Sequence, residues 1–211
     1  MSLTLQDTIG VIPNAFSDDL CDTILQLYET AALEGETYQG FSGRGTNNLN
    51  VKNSIDLNLL NYSNTPAIKS LNDKICDMFN TNINKYATSF PDQDKWSGMN
   101  NFNSPTVFDV LQVQRYKQGE GHYNAWHHEI MGYRSCKRFF AILVYLNDVE
   151  EGGETEFLYA GLKVKPKKGT LVIHPAGFPY VHKGHMPITS DKTILITWLC
   201  FDMPARLADA V

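Results

Sequence analysis

KRFFAILVYLND, residues 137–148, is a short run of aromatic and β-branched residues that stops at Asn-Asp. Five runs of similar texture flank it: TVFDVLQVQRY (106–116) before it, and TEFLY (155–159), LKVKP (162–166), GTLVIHP (169–175) and KTILITWLCF (192–201) after it. Gly, Pro, Asn and Asp punctuate the intervals, as they do between β-strands. Many short strands with turn signals every 8 to 12 residues or so indicate a sandwich or barrel rather than a parallel sheet with crossover helices.

Upstream, the periodicity changes from strand to helix. Ser17 precedes Asp18 and Asp19, a capping hydroxyl followed by acids on the positive end of a helix dipole; Leu20, Ile24 and Leu27 then keep one face apolar until Gly35. Thr65-Pro66 opens a second helix, with Ile68, Leu71, Ile75, Met78, Phe79, Ile83 and Tyr86 at three- and four-residue steps. A one-sided stripe of this length predicts a helix that covers one face of a sheet. Residues 35–54, GETYQGFSGRGTNNLNVKNS, are too polar to pack and too long for an ordinary connection, which leaves a binding lid or a surface loop. The predicted class is α+β, mainly β: a jelly-roll-like double sheet over 106–211, with helical support and the loop over 1–105, forming a single domain over 1–211.

The bulk properties agree with one ordinary globular domain. The chain has 211 residues, 43% hydrophobic and 19% charged, without internal repeats or low-complexity linkers. A net charge of −5 and a pI near 5.6 argue against broad electrostatic capture of nucleic acid or of an anionic membrane. No stretch approaches the roughly 18 apolar residues that cross a bilayer, and the first residues lack a secretory pattern, so the expected location is cytoplasmic. Cys21, Cys76, Cys136 and Cys200 are far apart and read as reduced core thiols.

Chemistry concentrates in QRYKQGEGHYNAWHHEIMG. Side chains alternate in an extended segment, so His127 and Glu129 face one way and His128 the other. A His-x-Glu pair alone is a weak signal. His182, just after GTLVIHP and its Pro-Ala-Gly turn, supplies the third member of a two-histidine, one-carboxylate facial triad, which leaves three positions open on a six-coordinate iron(II). A structural zinc site would close its shell with four ligands, commonly cysteines, and none lies near. Lys192 starts KTILITWLCF among apolar residues, where a cation is costly to bury unless it meets an anion.

From Tyr116 to Phe201 the chain resembles the prolyl 4-hydroxylase-like branch of the iron(II)/2-oxoglutarate dioxygenases. The likeness rests on Arg-Tyr-x-x-Gly, His-x-Glu, YLNDVEEGGETEF (145–157), Val-Lys-Pro-Lys-Lys-Gly, and then His182, Lys192 ten residues later and Trp198 six after that. GVIPNAFSDDLC near the N-terminus resembles the opening of the same branch. The resemblance implies a double-stranded β-helix (jelly-roll) core with His127, Glu129 and His182 as metal ligands. It implies Lys192 and Tyr145 on the distal carboxylate of 2-oxoglutarate, and Tyr116 facing the active site. Arg138 and Trp198 match positions near the peptide substrate of related enzymes, although a strand tryptophan is ordinarily core. The implied cofactors are Fe(II), 2-oxoglutarate and O2, with ascorbate as an accessory. The implied reaction hydroxylates a C–H bond, by resemblance that of a prolyl residue in a peptide or protein, with release of succinate and CO2.

Two departures stand out. The branch ordinarily has His-x-Asp, and Glu129 is one methylene longer. The usual spacing from Tyr116 would place the first ligand on Ala125, so a two-residue insertion around GEGHYNAW is expected. His122, His174 and His185 are then spare loop or surface histidines, with His185 the chief rival of His182. GFSGRGTNNLNVKNSIDL loosely resembles the mobile substrate lid of the branch, with Lys52-Asn53-Ser54 in place of Arg-x-Ser. The alternatives are a dioxygenase acting on a free amino acid or other small molecule, or a jelly-roll metal-binding module without turnover. A nucleobase substrate is disfavoured because Trp198 stands where that branch has a second arginine.

Overall fold

The computed structural model describes residues 4–42, 47–90 and 106–202. The chain runs β1 (Gly10–Ile12), α1 (Asp18–Leu33), β2 (Tyr38–Gln39), β3 (Lys52–Asn53), β4 (Ile55–Asn58), α2 (Leu59–Tyr62) and α3 (Pro66–Ala87). It continues through β5 (Thr106–Phe108), β6 (Gln112–Tyr116), β7 (His122–His127), β8 (Arg138–Tyr145), β9 (Thr155–Phe157), β10 (Leu162–Val164), β11 (Leu171–Pro175), β12 (His182–Gly184) and β13 (Lys192–Phe201). The strands form two antiparallel sheets. The larger is ordered β1-β11-β8-β13-β6-β4-β2 with β5 on β13, and the smaller β10-β9-β12-β7-β3.

Strand alternation explains what each face of the large sheet does. Phe140, Ile142 and Val144 of β8, Leu171 and Ile173 of β11, and Leu195 and Leu199 of β13 turn one way and join Ile24 of α1 and Phe79 and Ile83 of α3 in one core. The intervening Tyr145, Val172 and Ile194 turn the other way, against Phe157 and Val164 of the small sheet. Each fully buried aliphatic or aromatic side chain contributes roughly 1.5–3 kcal/mol, so the helical face anchors the large sheet and leaves its other face free to build a pocket.

Both long helices start where expected, with Ser17 Oγ accepting from the Leu20 N–H at 3.3 Å and Thr65 Oγ1 from the Ile68 N–H at 3.4 Å. TVFDVLQVQRY breaks into two strands around Asp109–Leu111. Among the described residues four short strands precede residue 106 and join both sheets, so strand structure is not confined to 106–211. The loop 35–54 contributes β2 and β3 to sheet edges; residues 43–46 of that loop lie outside the described residues. Cys21 and Cys200 are buried thiols, whereas Cys136 is exposed, contrary to the expectation of a core residue: it caps a single 3-10 turn, where no strand or helix face carries it inward. Among the described residues no helix is long and apolar enough to cross a membrane.

Candidate active site

His127 ends β7 and His182 begins β12, and the two are direct cross-strand partners. Each ring is held by a bond from Nδ1 to the carbonyl two residues earlier, Ala125 at 2.9 Å and Tyr180 at 3.0 Å. A carbonyl only accepts, so Nδ1 carries the proton and Nε2 is left with its lone pair, the tautomer a metal requires. Tyr123 stacks on His127 at 3.8 Å between ring centroids, and Phe157 packs against His182. Burial, followed by the neighbouring His182, lowers the His127 pKa to about 4, so this imidazole is neutral at physiological pH.

Glu129 completes the group by a route other than strand alternation. β7 stops at His127, and the Glu129 N–H instead donates to the Ala176 carbonyl at 2.8 Å, tying this segment to the end of β11. His128, expected on the opposite face, also borders the cavity. Glu129 Oε1 lies 3.2 Å from His182 Nε2 and 3.8 Å from His127 Nε2. Burial resists ionisation of Glu129, but the adjoining His182 and His127 and the Arg138 guanidinium outweigh it and hold the carboxyl below the usual carboxylate range. One ligand atom from each of the three residues lies within 4.8 Å of the others, and among the described residues this is the one His/Cys/Asp/Glu cluster so arranged. Two nitrogens and one carboxylate oxygen, without sulfur, form a donor set that fits iron(II).

The group opens into a cavity of about 880 Å³ between the sheets, which Lys192 also lines. Lys192 is 2% exposed. Its ammonium donates to the Gly153 carbonyl at 2.9 Å and lies 4.7 Å from the Tyr116 ring centroid; among the described residues no carboxylate pairs with it. Burial pulls its pKa down to about 7. The backbone is close about this side chain: Gly153 sits at φ +73°, where a side chain is strained, and a Cβ there would stand 3.3 Å from Lys192 Cδ. A buried cation that no carboxylate pairs is stabilised by an anion brought beside it.

The remaining predicted residues have definite places. Tyr116 lines the cavity, with its hydroxyl donating to Gln114 Oε1 at 2.7 Å. Tyr145 lies deeper, and its hydroxyl donates to Thr155 Oγ1 at 2.7 Å and meets the Val164 carbonyl at 3.2 Å. Thr155 is therefore the hydroxyl presented to the cavity, and it keeps its own proton to donate. Arg138 and Trp198 come together at Glu129: Trp198 Nε1–H donates to Oε2 at 2.9 Å and Arg138 Nη1 lies 3.4 Å from the same oxygen. His185 is turned away, with Nε2 2.6 Å from Glu156 Oε2.

His174 is not a loop or surface residue. It lies in β11, 2% exposed, edge-on to His182 at 4.9 Å, with its pKa pushed down to about 3 by burial and then by His182. The alternation of GTLVIHP carries the signal that finds it, because His174 shares a face with Val172. His122 likewise belongs to a strand, at the start of β7. Lys52 and Ser54, the pair compared with the lid motif, are buried on Asp56, at 2.9 and 2.8 Å respectively.

Residues 111–200 match the family described as the 2OG-Fe(II) oxygenase superfamily. The chain is 30% identical over 115 residues to the Arabidopsis thaliana protein named "Probable prolyl 4-hydroxylase 9", a match covering 44% of this chain and 40% of that one. It thus spans about two fifths of the length of that plant relative. Among solved structures, viral collagen prolyl hydroxylase vCPH from Paramecium Bursaria Chlorella virus-1, in complex with 2OG, is 22% identical with a TM-score of 0.63, covering 91% of this chain and 95% of that chain. A Trichoplax adhaerens prolyl hydroxylase, in complex with a hypoxia inducible factor oxygen degradation domain peptide fragment, is 14% identical with a TM-score of 0.71, covering 92% and 84%. At these identities the likeness to the solved structures is one of fold.

Proposed function

Taking as premise that residues 111–200 belong to the 2OG-Fe(II) oxygenase superfamily with a likeness to prolyl 4-hydroxylases, we propose that this protein is a 2-oxoglutarate-dependent dioxygenase that hydroxylates a prolyl residue of a peptide or protein. In this reading the two sheets are the halves of a double-stranded β-helix, and residues 1–211 act as one domain. The observation that carries the proposal is the meeting, in one cavity, of a two-histidine, one-carboxylate cluster with a buried ammonium that no carboxylate pairs among the described residues.

His127, Glu129 and His182 would hold iron(II), which when bound supplies the oxidation of 2-oxoglutarate to succinate and CO2 by O2 together with substrate hydroxylation. Lys192 neutralises the distal carboxylate of 2-oxoglutarate, Thr155 offers it a hydroxyl proton, and Tyr145 fixes Thr155. Tyr116 closes one side of that subsite with its ring. At the mouth, Tyr38, Phe41, Met131 and Tyr133 are exposed apolar side chains bordering the cavity, a surface suited to a proline-containing peptide.

Anaerobic addition of iron(II) and 2-oxoglutarate tests the first half. A weak visible metal-to-ligand band is expected, and its absence from folded protein sinks the enzyme reading in favour of a module without turnover. A panel of proline-containing peptides, incubated in air with ascorbate and read by mass spectrometry for a gain of about 16 Da, tests the second. Succinate formation stimulated by a free amino acid and by none of the peptides would move the substrate to the small-molecule class.

A further inference from the structure

We propose that Trp198 and Arg138 are positioning residues that hold Glu129 by its outer oxygen, so that Glu129 offers a metal ion only Oε1. The inference rests on the iron site proposed above and extends it to a feature of this chain, the longer carboxylate in His-x-Glu.

The two oxygens of Glu129 have different surroundings. Oε1 faces His182 and His127, at 3.2 and 3.8 Å. Oε2 receives the Trp198 indole N–H at 2.9 Å, within the ordinary range of a full hydrogen bond. Arg138 Nη1, at 3.4 Å from Oε2, is beyond that range and acts chiefly as a charge; it also lies 3.3 Å from the Glu129 carbonyl oxygen. Arg138 is itself fixed. Its guanidinium lies 3.6 Å from the Trp198 ring centroid, and Nη2 is 3.5 Å from Asp109, which Lys137 holds at 3.0 Å. The Asp109 N–H donates to the Trp198 carbonyl at 3.0 Å, closing the assembly across β13, the start of β8 and the segment between β5 and β6. The Glu129 side chain is 12% exposed, so little water competes for Oε2.

A glutamate needs such a restraint more than an aspartate does. Its extra torsion adds rotamer freedom that binding must remove, and both oxygens of a carboxylate can coordinate one cation. Bidentate coordination by Glu129 would fill a position that a 2-oxo acid requires. An Oε2 engaged by an indole N–H and a guanidinium is a poor second ligand, and the side chain cannot rotate without breaking both contacts. The same geometry makes Glu129→Asp a loss rather than a repair: the carboxylate retracts by about 1.5 Å, one C–C bond, and cannot reach Trp198 and the imidazoles together.

The test uses cobalt(II) bound anaerobically to the full chain, read by its visible absorption and affinity, followed by titration of the cobalt-loaded protein with 2-oxoglutarate. Trp198→Phe keeps an aromatic ring beneath Arg138 and removes the indole donor; a tenfold to hundredfold loss of cobalt affinity is expected, the usual range for an outer partner of a metal ligand. Arg138→Gln should lose less. Glu129→Asp should also bind cobalt more weakly than the native chain. Native cobalt affinity and spectrum in Trp198→Phe, or tighter binding by Glu129→Asp, overturns the proposal. Failure of the site itself is a separate result, in which native protein and His182→Ala bind cobalt alike.

Discussion

Lys192 and Gly153 are joined by a hydrogen bond of 2.9 Å from the ammonium to the carbonyl, and among the described residues no carboxylate pairs with this cation, which is 2% exposed. Burial lowers the Lys192 pKa from 10.5 to about 7. Below pH 7 both folded and unfolded chains are protonated, and the folded state bears the full cost of the buried charge. Between pH 7 and 10.5 the unfolded chain binds more protons, so this group makes stability rise with pH across that window. Lys192→Met should therefore raise the Tm of the metal- and ligand-free protein. The gain should be largest below pH 7 and gone above about pH 10.5, as followed by calorimetric scans.

Binding of 2-oxoglutarate should run against this trend. The carboxylate requires the protonated lysine, so above pH 7 binding takes up a proton and affinity falls by up to about tenfold per pH unit. Calorimetry of the metal-loaded protein in two buffers of different ionisation enthalpy at pH 8 should show an apparent binding heat that depends on the buffer. Equal heats would separate Lys192 from the ligand.

His182→Ala should abolish metal binding and succinate formation, whereas His185→Ala should leave both intact. His185 meets Glu156 in a partly exposed pair whose loss costs at most about 1 kcal/mol of stability. The two variants compared by metal titration and urea denaturation give opposite patterns. The reverse result would move the third ligand.

Asp56 is fully buried and accepts from Lys52 at 2.9 Å, Ser54 at 2.8 Å and Gln112 at 2.6 Å. Asp56→Asn leaves the 4%-exposed Lys52 charge without its counter-ion, and breaking a buried pair in this way costs roughly 3–5 kcal/mol. The urea midpoint should fall accordingly. Replacing Lys52 and Asp56 together by apolar residues should recover much of the loss.

What the sequence discloses follows from how its signals are written. Strands of the large sheet bury one face in the helical core and line a pocket with the other, so KRFFAILVYLND and KTILITWLCF carry strong apolar patterns and are legible at once. β3 and β12 are two and three residues long, include polar residues and sit among loops, so their membership in a sheet is decided by distant partners. The clustering of His127, Glu129 and His182 was legible through motif spacing, but the reason Glu129 faces inward was not, because it depends on the Ala176 carbonyl in another segment. The burial of Lys52 was hidden likewise, since an ion pair four residues apart in extended chain carries no periodic signature.

The cross-strand pairing of His127 with His182 bears on how such a protein is made. His127 leaves the ribosome before His182, and the two become neighbours only after β12 has docked between β7 and β9. A nascent chain halted before β12 holds a histidine and a glutamate but no facial triad. In the reading proposed above, iron capture waits for β12, and an ion bound there reports that the smaller sheet has assembled.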